Sequence, residues 1–159
     1  MRKIILQNSM SPGDIVMLTA AVRDLHLGYP GAFATEVRTS AKGLWESNPY
    51  LTKFLEGEAD TETVACAYPL IHRSNKGPWH FIHGFTQHLG EQLGVRIEPT
   101  EFKGDIHLSA DERRWMSQVQ EITKTPVPFW IVAAGGKYDF TAKWWANERY
   151  QGVERQFVQ

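Results

Sequence analysis

Lys3-Ile4-Ile5-Leu6, then Gln7-Asn8-Ser9-Met10-Ser11-Pro12-Gly13-Asp14, then the run from Ile15 to Leu27, decides the fold. The first stretch reads as a short buried strand and the second as a loop. The third places apolar residues at Ile15, Val16, Leu18, Ala21, Val22 and Leu25, which fits an amphipathic helix. Asp14 is its N-cap or sits in its first turn. Strand, loop and helix N-terminus in that order is how α/β domains turn backbone N–H groups toward anions. The same kind of unit starts again at Pro128-Phe129-Trp130-Ile131-Val132-Ala133-Ala134, continues through Gly135-Gly136-Lys137, and opens a helix near Lys143-Trp144-Trp145. Too few residues follow Thr125 for a second α/β domain. The sequence therefore predicts a first domain over 1–125 and the opening of a truncated second domain over 126–159. Thr125-Pro126-Val127-Pro128 is a stiff linker between them.

Working outward, Gly28-Tyr29-Pro30-Gly31 stops the first helix. A second strand is expected over 33–38, a short helix over 41–45, a short strand over 51–55 and another strand over 63–68. His72 to Trp79 reads as a polar loop. A helix over 80–93 carries Phe81, Phe85, Leu89 and Leu93 as one apolar stripe, with Gly94 at its end. Ile106-His107-Leu108 reads as a strand. Ser109-Ala110-Asp111-Glu112 is a capping box, expected to open a helix to about Thr123. Alternating strands and helices predict an α/β fold with a parallel sheet flanked by helices. Ligands then bind beyond the carboxyl ends of the strands, at loops 7–14, 39–42, 69–79 and 135–143.

Composition narrows the function classes. Apolar residues make up 42% and charged residues 22% of 159, ordinary for a globular domain. The net charge of −1 gives no electrostatic case for nucleic acid. Cys66 is the single cysteine, which excludes an intrachain disulfide and a cysteine-based zinc site. The apolar run after Lys3, Ile4-Ile5-Leu6, is too short for a signal peptide or a membrane span, so a cytoplasmic location is expected. Six tryptophans suit carbohydrate stacking, a large core or an interface equally. Neither loop carries GxGxxG or a Walker A ending, which argues against a dinucleotide dehydrogenase or a P-loop enzyme.

Taken in order, Ile4-Ile5-Leu6, Ser9, Ser11-Pro12-Gly13-Asp14, Tyr29-Pro30-Gly31-Ala32 and Asn48-Pro49-Tyr50 resemble the N-terminal domain of the ADP-heptose:lipopolysaccharide heptosyltransferase family, glycosyltransferase family 9. The second start, with Lys143-Trp144-Trp145, is similar to the opening of that family's second domain. Pro12 departs from the family, which has a small residue there. The resemblance implies a Rossmann-like acceptor domain of a two-domain GT-B fold, followed by part of a nucleotide-sugar domain. It implies inverting transfer of a sugar, heptose from ADP-heptose, to a carbohydrate such as lipopolysaccharide core. No cofactor and no metal are implied. The location is the cytoplasm at the inner face of the membrane, with peripheral membrane contact. Most of the donor domain lies outside the sequence read here, so donor binding by this chain alone is expected to be weak.

Each candidate residue has a functional and a bland reading. Asp14 is matched by the resemblance to the family's catalytic base, which takes the proton of the attacking hydroxyl. The bland alternative is a helix cap. Ser11 and Gly13 beside it belong to the acceptor side. Gly135 and Gly136 line a donor phosphate site or make a tight turn. Lys143 stabilises a leaving diphosphate or is a solvated lysine. His72, Arg73 and Lys76, with His80 and His83, form the one locally basic stretch and receive an anionic acceptor or simply open a solvated helix. Arg38 and Lys42 carry the same two readings. His80 and His83 lack a third metal ligand. Trp79 and Trp115 are read as core or interface. A non-catalytic remnant that binds a glycan or a partner chain is the competing class, and a different nucleotide-binding α/β enzyme is a third.

The aromatic second start, one strand and one helix, cannot close a core by itself. Self-association or pairing with a partner chain is the expected outcome. Sedimentation as a clean monomer across micromolar concentrations, with no binding of a surface-apolarity dye, would count against it.

Overall fold

Strand β1 (Arg2–Asn8) is the centre of a three-stranded parallel sheet, flanked by β2 (Phe33–Thr39) and β3 (Thr61–Ala65) in the order β2-β1-β3. The register pairs Ile4 with Thr35 on one side and with Glu62 on the other. The computed structural model describes residues 1–55, 59–132 and 147–157. The chain divides into two units, Met1–Arg114 and Trp115–Gln159, so the 125/126 boundary read from the sequence falls inside the second.

The first unit is an α/β arrangement of this sheet and two helices, compatible with a Rossmann-like fold. Ile4, Ile5 and Leu6 are all buried, as a central parallel strand requires. Helix α1 (Pro12–Gly28) follows β1, and α2 (Phe81–Leu93) follows β3. The two helices pack on each other and share one core with the sheet, built from Ile4, Leu6, Leu18, Val22, Val64 and Phe85 among others. In α2 the buried stripe runs Ile82, Phe85, Leu89 and Leu93. Ile82 opens it in place of Phe81, which is partly exposed. Gly94 ends α2 at φ 70°, the left-handed region that glycine enters without a Cβ penalty.

Helix α1 departs from the amphipathic reading. Every residue from Leu18 to Leu25 is buried, including Thr19, Arg23 and Asp24. The segment after α2 covers its polar side. Arg23 pairs with Asp24 at 2.9 Å and donates to the carbonyls of Glu101 (2.9 Å) and Lys103 (3.2 Å). Thr100 Oγ1 donates to Asp24 at 2.6 Å, and the Asp105 N–H donates to Thr19 Oγ1 at 2.7 Å. Burial works against the Arg23 charge. Hydrogen bonding and the charge of Asp24, with Asp105 and Glu101, outweigh it and raise the guanidinium pKa.

Several expected elements are cut short. The strand over 51–55 reduces to one parallel bridge, Thr35 to Leu51, with the Thr52 N–H on the Thr35 carbonyl at 2.8 Å. The ladder stops there because the Phe54 N–H turns to the Glu36 carboxylate instead (2.8 Å). The strand over 63–68 is Thr61–Ala65, and the polar loop begins as a 3-10 helix, Pro69–Lys76. Residues 106–108 are irregular, with Ile106 and Leu108 exposed, so no fourth strand forms there. The capping box does form: Ser109 N–H to Glu112 at 2.7 Å, and Glu112 N–H to Ser109 Oγ at 3.1 Å. It opens only a 3-10 turn, Glu112–Arg114. The chain restarts at Ser117, which caps α3 (Gln118–Thr123). No residue of that turn or of α3 is buried, and without a buried face so short a helix has little to extend it.

In the second unit, residues 129–132 are not a strand, and Ile131 is 84% exposed. Helix α4 spans Asn147–Phe157. Gly135, Gly136, Lys143, Trp144 and Trp145 lie outside the described residues. Trp45 is buried, whereas Trp79 and Trp115 are 44% and 74% exposed and so belong to no core.

Asp24→Ala would leave the Arg23 guanidinium buried without its carboxylate. A cost of about 3–5 kcal/mol is expected, read as a lower urea midpoint with an unchanged slope. A loss below about 1 kcal/mol would mean that Arg23 reaches water.

Candidate functional site

The carboxyl ends of the three strands meet at Asn8. Its side-chain amide donates to the Cys66 carbonyl beyond β3 (2.9 Å), and its Oδ1 accepts the Met10 N–H (2.8 Å). Its backbone carbonyl accepts the Ser40 N–H beyond β2 (3.2 Å), and Ser40 Oγ donates to the Met10 carbonyl (2.6 Å). One buried asparagine therefore ties all three strand ends together. They enclose a shallow cleft of about 600 Å³, lined by Asn8, Ser9, Met10, Arg38, Ser40 and Cys66 among others. This is where parallel sheets present ligand sites. A larger cavity of about 750 Å³ lies against α2, between Trp79, His83, Gln87, Glu91 and Arg96; of the basic stretch read from the sequence it includes His83.

Asp14 sits in the first turn of α1, not at its cap. Ser11 is the N-cap and Pro12 opens the helix. The Asp14 carboxylate reaches back: its Oδ2 accepts the Ser11 hydroxyl at 2.7 Å and the Ser11 N–H at 3.2 Å. Both donors fall on the same oxygen. The side chain is half-buried. Tyr68 lies just beyond β3. Burial, then the Asp14 charge, then hydrogen bonding to Asp14 push the phenol pKa up. The Tyr68 ring is held edge-on by Phe81 and Phe85 of α2, at 5.1 and 5.0 Å between centroids.

The other candidates separate. Ser11 is exposed and engaged with Asp14. Gly13 is exposed, and a Cβ there would meet nothing, so no close backbone approach requires glycine. Arg38 lines the cleft and is paired with Glu36 at 3.0 Å. Lys42 lines a neighbouring pocket with Lys53. His72, Arg73 and Lys76 are exposed on the 3-10 helix and do not line the cleft. Arg73 faces a small pocket with Gly84, Gln87 and Glu91. His80 and His83 cap α2: the Ile82 N–H donates to His80 Nδ1 (3.2 Å) and the His80 N–H to His83 Nδ1 (3.1 Å). Among the described residues no group of three His, Cys, Asp or Glu side chains is placed to hold a metal. Asn48, of the Asn-Pro-Tyr element, makes a local turn, its Oδ1 accepting the Tyr50 N–H at 3.0 Å.

Sequence reasoning missed Asn8 and Tyr68. An asparagine ending a buried strand, and a tyrosine before the Pro69 that starts the next turn, were the available signals. Neither has a spacing that marks it.

Cys66 lines the cleft, but its thiol is buried and its pKa pushed up to about 12 by that burial. At pH 8 only about one thiol in ten thousand is then a thiolate. The native chain should react with a thiol reagent such as DTNB orders of magnitude more slowly than the urea-unfolded chain. Equal rates would place the thiol in solvent.

No family model, no curated protein and no solved structure matches this chain, so the chemistry of the site has to come from its own residues.

Proposed function

We propose that the chain is a glycosyltransferase of the heptosyltransferase type, moving a sugar from a nucleotide-sugar, ADP-heptose by resemblance, to a carbohydrate acceptor such as lipopolysaccharide core. The observation that carries this reading is the half-buried Asp14 carboxylate in the first turn of α1, beside the carboxyl ends of a parallel sheet. Its Oδ2 takes both Ser11 donors. In the proposed step the acceptor hydroxyl attacks the anomeric carbon, the hydroxyl proton passes to Asp14, and the nucleoside diphosphate leaves from the opposite face with inversion. Arg38 on the cleft meets an anionic acceptor. Gly135, Gly136 and Lys143 serve the diphosphate in a GT-B arrangement, with residues 126–159 belonging to the donor domain. Among the described residues no helix is long and apolar enough to cross a membrane, so contact with a lipid-borne acceptor would be peripheral.

The capping role of Asp14 favours a second reading, a module that binds a glycan or a partner without turnover. Mixing the chain with ADP-heptose and a lipopolysaccharide-core acceptor separates the two. Transfer supports the first reading. Acceptor binding by calorimetry without transfer supports the second, and neither binding nor transfer rejects both. Where transfer occurs, Asp14→Asn keeps the shape and much of the capping. It should lower turnover at least about a hundredfold while shifting stability by less than about 1 kcal/mol. Near-normal turnover would return Asp14 to a structural cap.

A further inference from the structure

Among the described residues one buried side-chain nitrogen or oxygen has no hydrogen-bond partner, the Nδ2 of Asn48. Asn48 is 8% exposed, and the other end of its amide is committed: Oδ1 accepts the Tyr50 N–H at 3.0 Å. That bond fixes which way round the amide lies, so the orphan is the NH2 group. Leaving a buried donor unpaired costs its desolvation. The turn does not relax to relieve it. Ser47 is held at φ 60°, left-handed backbone that serine adopts at a cost, and the Asn48 N–H is tied to the Trp45 carbonyl at 3.2 Å. A donor kept there calls for an acceptor from outside the chain, a water or a ligand.

Asn48 lines a cavity of about 520 Å³ on the side of β2 away from β1, beside the Thr35–Leu51 bridge. That is the size of a small-molecule site and far more than one water fills. Trp45 and Leu51 give it apolar walls, and Lys42 and Lys53 bring two ammonium groups. Both lysines are exposed, and neither is in an ion pair with a described residue. Two carboxylates share the cavity. Glu36 is already engaged, its Oε1 by Arg38 (3.0 Å) and its Oε2 by the Phe54 N–H (2.8 Å). Glu46, which is exposed, is left to offset both lysines.

We propose that this cavity is a binding site for a small organic anion, whose phosphate or carboxylate oxygens take the Asn48 NH2 and the two lysine ammoniums while its body lies against Trp45 and Leu51. Hydrogen bonds from an ammonium to such an oxygen are roughly twice as strong as neutral ones. The lysines therefore set the affinity, and the asparagine, fixed by its turn, sets the position. The site does not draw on Asp14 or on the sugar-transfer reading.

The test is an NMR titration of the full chain, labelled with 15N, using glucose 6-phosphate, glucuronate and, as the uncharged control, glucose. Asn48→Asp identifies the Asn48 side-chain NH2 signal by its loss. That signal should move saturably with glucose 6-phosphate, with glucuronate or with both, and stay in place with glucose. Which of the two anions acts tells phosphate from carboxylate. Lys42→Gln combined with Lys53→Gln, both at exposed positions, should weaken binding at least about tenfold. Asn48→Asp keeps an oxygen for the Tyr50 N–H but turns the donor into a carboxylate, and should abolish binding. An Asn48 signal that neither anion moves would overturn the proposal and leave the amide to a buried water. Movement by glucose equal to that by the anions would overturn it as well. So would parent affinity in the double lysine variant, a result that stands whether or not Asn48→Asp folds.

Discussion

The Arg23–Asp24 pair inside α1 is the constraint on which the first unit depends. Two adjacent charged residues on one helix turn ordinarily face water. Here both are covered, and each must find partners or forfeit several kcal/mol. Arg23 finds them in the carbonyls of Glu101 and Lys103, and Asp24 in the Thr100 hydroxyl. The segment after α2 is thereby drawn across α1 although it has no regular structure of its own. Without that cover α1 would have a wet side, and the first unit would be a sheet with a loosely attached helix. With it, every residue of α1 from Leu18 to Leu25 is buried.

The candidate site takes its shape from the strand ends. Asn8 gathers the three strand ends, Ser11 and Asp14 close the first turn of α1, and Tyr68 comes in from beyond β3 on a ring wedged against α2. The site therefore draws on β1, β2, β3, α1 and α2 together, and no two neighbouring stretches of sequence would make it. The basic residues His72, Arg73 and Lys76 stand outside it because the 3-10 helix turns them to solvent.

What was legible followed local rules. The strand at residues 3–6, the helix after Asp14 and the glycine stop at Gly94 each rest on periodicity or on one residue's backbone freedom. The parallel sheet followed from their alternation. What was not legible depended on distant partners. The helix α1 looked amphipathic because nothing in its own sequence announces that residues 99–105 will cover Arg23 and Asp24. The strands expected at 51–55 and 106–108 had strand-like residues, but a strand exists only by its ladder, and Glu36 takes the Phe54 N–H that the first of them needed. The capping box at Ser109 was read correctly as a cap and wrongly as the start of a long helix, since a cap stabilises a turn and a buried face stabilises a helix. Asp14 was legible as a residue at the start of α1, and it sits in the first turn. Tyr68 was not, because its ring is held by two phenylalanines on another element.

The way α2 begins fixes a proton inventory. His80 and His83 each receive a backbone N–H on Nδ1, so in each ring that nitrogen must keep its lone pair and the proton must sit on Nε2. To anything arriving from solvent, both imidazoles are hydrogen-bond donors. Neither can take a proton or bind a metal through Nδ1 unless the first turn of α2 gives up that bond.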